Sequence, residues 1–114
     1  MTRTSEEYRE HLVIVRNRVV EVCEAILYEE IGVLLGVRQL CRLHYDLFDQ
    51  VDDDFVLFIG INSETDSLPI GDERQYWNEK ILIEKDKEIA EIEARVKQDV
   101  FDTCQKLIKR FSSK

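Results

Sequence analysis

The chain lacks the glycine and serine signatures of common catalytic and nucleotide-binding sites. Its four glycines never approach the spacing of a phosphate-binding loop or of a dinucleotide fingerprint. Neither Ser63 nor Ser67 lies in a G-x-S-x-G elbow, and a nucleophile would also need a base and an orienting group. We therefore assign no catalytic residue and no cofactor.

Cysteine and histidine are too few and too scattered for a local metal site. Cys23, Cys41 and Cys104 form no C-x-x-C pair, and each falls inside a helical pattern. We expect them to be reduced, buried thiols. His11 and His44 lie too far apart for the short zinc spacings, so the sequence predicts no metal ligand among them.

Long apolar runs are also absent, and none approaches the roughly 20 residues that cross a bilayer. The start, MTRTSEEYRE, is too charged for a secretory signal, so we expect a cytoplasmic protein. The formal net charge of -8 disfavours nucleic acid and anionic membrane, because both are polyanions. It favours a protein partner with a basic surface, or a cation.

The negative charge is concentrated in an acidic run, residues 46–73, which has no Lys or Arg. The run contains nine acids, and the rest of the chain carries 15 acids and 16 bases. The nine are Asp46, Asp49, Asp52, Asp53, Asp54, Glu64, Asp66, Asp72 and Glu73. A localised acidic face speeds the encounter with a basic partner and penalises acidic ones.

Hydrophobic periodicity predicts a long helix before this run. Thr4 and Glu7 fit the capping box that starts a helix. Apolar residues then recur at steps of 4 and 3 from Tyr8 to Ile26, which places them on one stripe. We expect Gly32 to be the left-handed residue that ends this helix.

A shorter second helix is predicted from Val33 to about Phe48. Gly36 in its interior favours a close approach to a neighbour. Arg38 and Arg42 lie four residues apart on another face of this helix. We interpret His44 as a partly buried, hydrogen-bonded side chain.

The apolar heptapeptide from Phe55 to Ile61 fits either a buried strand or a buried helix. No second strand-like run exists to pair with it, and a lone strand would leave buried N–H and C=O groups unpaired. Asp52 to Asp54 would cap a helix well. We therefore predict a short buried helix.

After a polar loop, Asp72 is expected to cap a single turn that ends at Trp77, and Asn78 to cap the last helix. A helix continuous to Phe111 would be about 50 Å long, whereas a domain of this size is about 35 Å across. Either the helix breaks near Lys80 to Asp86, or it overhangs and packs against a second copy. A homodimer is thus an open alternative.

These elements predict an all-α fold in which residues 1–114 form a single helical domain. It is a small bundle with two long helices and one or two short ones around a central buried apolar segment.

The stretch FIGINSETDSLPIGDERQYW, with the preceding GVLLGVRQLCRL, resembles a family of small uncharacterised bacterial proteins that contain a domain of unknown function. In that family a G-x-x-R-x-L helix precedes an S-E-T-D-x-L-P loop and an R-x-x-W motif. Here the first motif, residues 36–40, is one residue shorter, while the other two lie at 63–69 and 74–77. The resemblance implies no substrate. It implies a distinctive surface formed by Ser63, Glu64, Thr65, Asp66, Arg74 and Trp77.

The preferred function is a non-catalytic protein-interaction domain, with an immunity-type inhibitor of a basic toxin as one form of it. The predicted partner-binding residues are Ser63, Glu64, Thr65, Asp66, Asp72, Glu73, Arg74 and Trp77.

The alternative is a small metal-dependent hydrolase or a divalent-cation-binding protein that uses the acidic loop 62–73. Counted from Asn62, the carboxylates of Glu64, Asp66 and Glu73 fall at ligand positions of a calcium loop. Asn62 is not the usual Asp, however, and the sharp turn lacks its glycine. A structural interpretation also exists, in which the loop acids form turns or pair with Arg74.

Overall fold

The computed structural model describes residues 4–112, which form α-helices and short 3₁₀ turns and no strand. The helices are α1 (Ser5–Leu27), α2 (Val33–Leu47), α3 (Val56–Thr65) and α4 (Glu79–Ser112), and 3₁₀ turns at Asp53–Phe55 and Asp72–Tyr76 precede α3 and α4. The predicted all-α fold, with two long and two short helices, is confirmed. No helix in the described range is long and apolar enough to cross a membrane.

Helix α1 starts as predicted but ends at a different residue. The Glu7 N–H donates to Thr4 Oγ1 (3.1 Å), and the Thr4 N–H donates to the Glu7 carboxylate (3.4 Å). At the other end Glu29, with φ of 57°, takes the left-handed conformation, and its carboxylate binds Lys97 Nζ on α4 at 2.7 Å. The assignment of that role to Gly32 is wrong, because Gly32 has φ of -63° and precedes α2.

Helix α2 receives its N-terminal cap from another helix. Gly32 has no side chain to satisfy the first N–H groups of α2, and the Leu34 N–H instead donates to Glu93 Oε2 of α4 at 3.0 Å. The carboxylate therefore lies at the positive end of the α2 dipole. A Cβ atom at Gly32 would stand 3.3 Å from the same oxygen, so the glycine leaves room for this cap.

The core lies where α1 packs on α2 and α4, and where α2 packs on α3. A Cβ atom at Gly36 would overlap the Ile26 side chain, which confirms the predicted close approach. The buried cluster contains Val19, Val22, Cys23, Ile26, Leu34, Val37, Leu40, Cys41, Phe55, Phe58, Ile61, Val100, Cys104 and Leu107.

The three cysteines are free and buried, as predicted. Cys23 of α1 hydrogen-bonds with Cys104 of α4, and this contact together with burial raises the pKa of the Cys23 thiol. Both side chains are fully buried, so they act as small apolar core residues.

The apolar heptapeptide is helical, as predicted, but it is buried on one face only. Phe55, Phe58 and Ile61 are buried, whereas Val56 is 53% exposed. The Asp54 N–H donates to Asp52 Oδ1 at 3.0 Å, which confirms Asp52 as a cap at the start of this segment.

His44 is more deeply buried than predicted, at 1% exposure. Its Nε2 accepts a hydrogen bond from the Asp52 N–H at 3.0 Å, while Nδ1 has no partner among the described residues. The rings of Tyr45, Phe48 and Phe55 surround it, with centroids 5.0–5.4 Å away. An imidazolium could not accept this hydrogen bond, so the side chain is neutral, and burial lowers its pKa below the ordinary 6.5.

Helix α4 is continuous, which rules out the alternative in which it breaks near Lys80 to Asp86 and leaves the overhanging one. The sequence of this helix contains neither Pro nor Gly to interrupt it. At its start the Lys80 N–H donates to Asn78 Oδ1 at 2.8 Å, so Asn78 caps the helix as predicted. The molecule measures 51 × 33 × 24 Å, and residues in the first turns of α4 are mostly exposed. The helix therefore overhangs the core.

We expect Glu93→Ala to lower the free energy of unfolding by about 1–2 kcal/mol, because the N-terminus of α2 then loses its cap. Glu93→Gln keeps an oxygen acceptor, so its free energy of unfolding should fall by less. Urea unfolding followed by circular dichroism measures both. Glu10→Ala, which removes an exposed helical glutamate, is the control. Equal stability of the Glu93→Ala and Glu10→Ala variants would contradict the cross-helix cap.

We expect His44 to make stability fall as the pH is lowered from about 7.5 to 5.5. Its pKa is lower in the folded state, so the unfolded chain binds the proton first. The contribution is complete above the ordinary value of 6.5 and is lost as the pH falls below it. The free energy of unfolding should fall with decreasing pH by at most about 1.4 kcal/mol per pH unit, the limit for uptake of one proton.

Urea unfolding across this pH range checks the expectation. His44→Phe should remove the slope, whereas His11→Gln should keep it. A slope that persists in the His44→Phe variant would assign it to another group.

Candidate functional site

Arg38 of α2 joins the end of α3 to the loop that follows it. Its side chain is only 15% exposed, and Nη1 donates to Glu73 Oε1 at 2.6 Å. Nη2 donates to the carbonyl oxygens of Thr65 (3.3 Å) and Leu68 (3.4 Å). One guanidinium thus satisfies acceptors on three successive parts of the chain.

Glu73 folds back over the start of its own 3₁₀ turn. Its Oε1 accepts from the N–H groups of Ile70 (3.1 Å) and Gly71 (3.0 Å) as well as from Arg38. The Gly71 and Glu73 N–H groups, followed by Arg38, lower the pKa of Glu73 to about 2. The prediction that Asp72 caps this turn is wrong, because Asp72 is the first residue within the turn and Gly71 occupies the cap position before it.

Arg74 fastens the other end of the loop to α4. It donates to the Pro69 carbonyl at 2.9 Å and binds Asp86 through two hydrogen bonds, at 2.7 and 3.0 Å. The structural alternative, in which loop acids form turns or pair with Arg74, does not give Glu64 that partner, because Glu64 accepts from Arg95 Nη2 at 3.0 Å.

The acidic run does not form one acidic face, because four of its nine acids bind bases outside it. Asp52 and Asp54 bind Arg110, Asp54 also binds Lys106, Glu64 binds Arg95 and Glu73 binds Arg38. Arg110 lowers the pKa of Asp52, and Lys106 lowers that of Asp54. The other five acids, Asp46, Asp49, Asp53, Asp66 and Asp72, are exposed. Much of the run therefore links α2, α3 and α4.

The predicted partner-binding residues have different surroundings. Thr65 is 2% exposed, and its hydroxyl donates to the Ile61 carbonyl at 2.8 Å, so it lies behind the surface. Trp77 is half-buried. Exposed carboxylates and hydroxyls remain at Ser63, Asp66 and Asp72.

A groove runs between α2 and the loop, and two of these exposed acids lie along it. Its larger part has a volume of about 460 Å³ and is lined by Leu35, Arg38, Gln39, Arg42, Ile70, Gly71, Asp72 and Glu73. An adjoining depression of about 270 Å³ is lined by Arg38, Cys41, Arg42, Tyr45, Asn62 and Asp66. We call the two together the α2–loop groove, since Arg38 and Arg42 line both.

Sequence reasoning missed Arg42 and Tyr45 as site residues. Arg42 is exposed and makes no ion pair with any residue from 4 to 112. It lies between the part lined by Asp72 and the part lined by Asp66, and Tyr45 beside it is 66% exposed. The four-residue step from Arg38 to Arg42 was the available signal, but it gave no indication that the loop faces α2.

The structure does not assemble the acidic loop into a metal site. Within the described range, no group of three or more His, Cys, Asp or Glu side chains could hold a metal ion. Glu64 and Glu73 bind Arg95 and Arg38 instead of turning towards each other.

Comparisons with known proteins identify no relative, because no family model, curated protein or solved structure matches the chain. The resemblance to small bacterial proteins with an S-E-T-D-x-L-P loop therefore stays a prediction. The site is interpreted from its own geometry.

We expect Glu73→Gln to lower the free energy of unfolding by about 1–3 kcal/mol at neutral pH, because the charge-assisted hydrogen bonds to Arg38 and the loop are weakened. Asp72→Asn, at the exposed neighbour, should change it by less than about 0.5 kcal/mol. Urea unfolding measures both.

The pH dependence provides a second readout. The folded pKa of Glu73 lies near 2 against an ordinary 4.5, so its contribution is complete above 4.5 and is lost as the pH falls towards 2. The Glu73→Gln variant should therefore lose less stability on acidification than the parent. If the parent and the Glu73→Gln variant lost stability equally on acidification, the role given to Glu73 would be contradicted.

Proposed function

We propose that this protein is a non-catalytic interaction domain that binds a partner protein in the α2–loop groove. The observation that carries the proposal is the position of Arg42, an exposed guanidinium between two depressions that also expose Tyr45, Asp66 and Asp72. Arginine and tyrosine are the residue types that most often dominate protein interfaces.

The groove has a rigid wall. Arg38 holds Glu73 and two loop carbonyls, and Arg74 holds the loop against α4. The exposed side chains of Asp66 and Asp72 therefore extend from a loop that is already ordered, which lowers the entropic cost of binding.

The unpaired carboxylates beside Arg42 support a partner that places basic groups opposite them. Asp66 and Asp72 make no ion pair among residues 4–112, and Asp46 is exposed one turn beyond Arg42. Such carboxylates accelerate association with a basic protein and disfavour an acidic one. An immunity-type inhibitor of a basic toxin, acting in the cytoplasm, is the form of this function that we propose.

The metal-dependent alternative has no comparable support, since two of its three loop carboxylates bind arginines. The homodimer, an open alternative raised by the length of the last helix, is a separate proposal. Its surface would lie on α4, away from the α2–loop groove.

The proposed function is tested by quantitative capture of partners on the immobilised protein, with the captured protein identified and its affinity measured by calorimetry. We expect Arg42→Ala and Tyr45→Ala each to weaken binding about tenfold, because each removes an anchor from the groove. Asp66→Lys plus Asp72→Lys should weaken binding mainly through slower association.

Asp49→Lys plus Asp53→Lys is the matched control, because it makes the same charge change at exposed acids that do not line the groove. Undiminished binding by the groove variants would refute the proposal. An equal loss of affinity in the control variant would show that net charge alone attracts the partner. Circular dichroism establishes that each variant is folded.

A further inference from the structure

The outer face of the overhanging part of α4 carries a regular pattern of charges. Lys80, Glu84, Lys87 and Glu91 follow one another at steps of 4, 3 and 4, which places them on one side of the helix. They lie opposite the side that buries Val100, Cys104 and Leu107. All four are exposed, and none makes an ion pair in the part of the chain that the structure describes.

An apolar side chain interrupts this charged surface. Ile83 is 60% exposed and lies on one flank of the charged stripe. Ala90, two turns further on and on the same flank, is also exposed. A bulky apolar residue and a small one thus lie on the same flank of the charged stripe, two turns apart.

We propose that this face of α4 binds the same face of a second copy of the chain, with the two helices antiparallel. A two-fold axis between Lys85 and Asp86 would place Lys80 opposite Glu91 of the second copy. The same axis would place Glu84 opposite Lys87 of the second copy. Every charge in the stripe then meets an opposite charge, and symmetry forms each contact twice.

The order of charges along the stripe favours the antiparallel arrangement over the parallel one. Parallel helices in register would place like charges together, which is destabilising. In the antiparallel arrangement Ile83 of one copy lies near Ala90 of the other, and the small alanine leaves room for it. The contact covers about three helical turns, less than a standard interface, so the dimer is weak and depends on concentration.

The dimer would leave the α2–loop groove open, because it uses a different element and the outer side of that element. It is therefore independent of the proposed function. Either proposal can fail while the other stands.

Sedimentation equilibrium over a range of concentrations tests the dimer. Wild type should associate reversibly, and Glu84→Lys should raise the dissociation constant at least about tenfold, since two attractive contacts become repulsive. The double variant Glu84→Lys plus Lys87→Glu should restore association, because the exchanged charges again meet across the two-fold axis.

The double variant distinguishes pairing between copies from pairing within one helix. Within a single helix, the double variant has a lysine at position 84, four residues from Lys80, and a glutamate at position 87, four residues from Glu91. These like charges repel, so the double variant should not rescue helix stability. Ile83→Lys should also abolish association, whereas Ile14→Lys, at an isoleucine 66% exposed on α1, should not. A wild type that stays monomeric, or a double variant as weak as Glu84→Lys alone, would overturn the proposal.

Discussion

The guanidinium of Arg38 holds the region between α3 and α4 in place. That region contains polar backbone at Thr65, Leu68 and Gly71, which must pair with something where the loop covers α2. Arg38 donates to the first two directly and, through Glu73, organises the N–H groups of the third and its neighbour. A lysine could not do this, because it lacks the planar set of donors. The wall of the α2–loop groove depends on this side chain, while Arg74 holds the same loop against α4.

The acidic run illustrates how a charge pattern can have two roles. As a linear feature it indicates an acidic surface for a basic partner. In the folded chain Asp52, Asp54, Glu64 and Glu73 bind bases on α2 and α4, so these acids stabilise the packing of helices. The carboxylates left exposed near the groove, Asp66 and Asp72, carry the remaining electrostatic signal.

Local features were predictable from the sequence. The capping box at Thr4, the cap at Asn78, the helical nature of the segment after Asp52 and the buried thiols all depend on residues within a few positions or on hydrophobic period. Features that join distant residues were not predictable. Glu93 caps α2 from 59 residues away, and Glu29 takes the left-handed position expected of Gly32 while binding Lys97. A single sequence contains no information on which distant helices meet.

The sequence by itself determined the all-α class, the helix stripes, most of the local caps and the concentration of charge, because hydrophobic period and capping chemistry act over one or two turns. Only the tertiary structure decided which acids are paired, which of the predicted loop residues stay exposed, and that Arg42 and Tyr45 line a groove with Asp66 and Asp72. The physical reason is that ion pairs and grooves form between surfaces of different helices. Their partners are set by the packing of the core, and that packing brings residues together regardless of their separation in the chain.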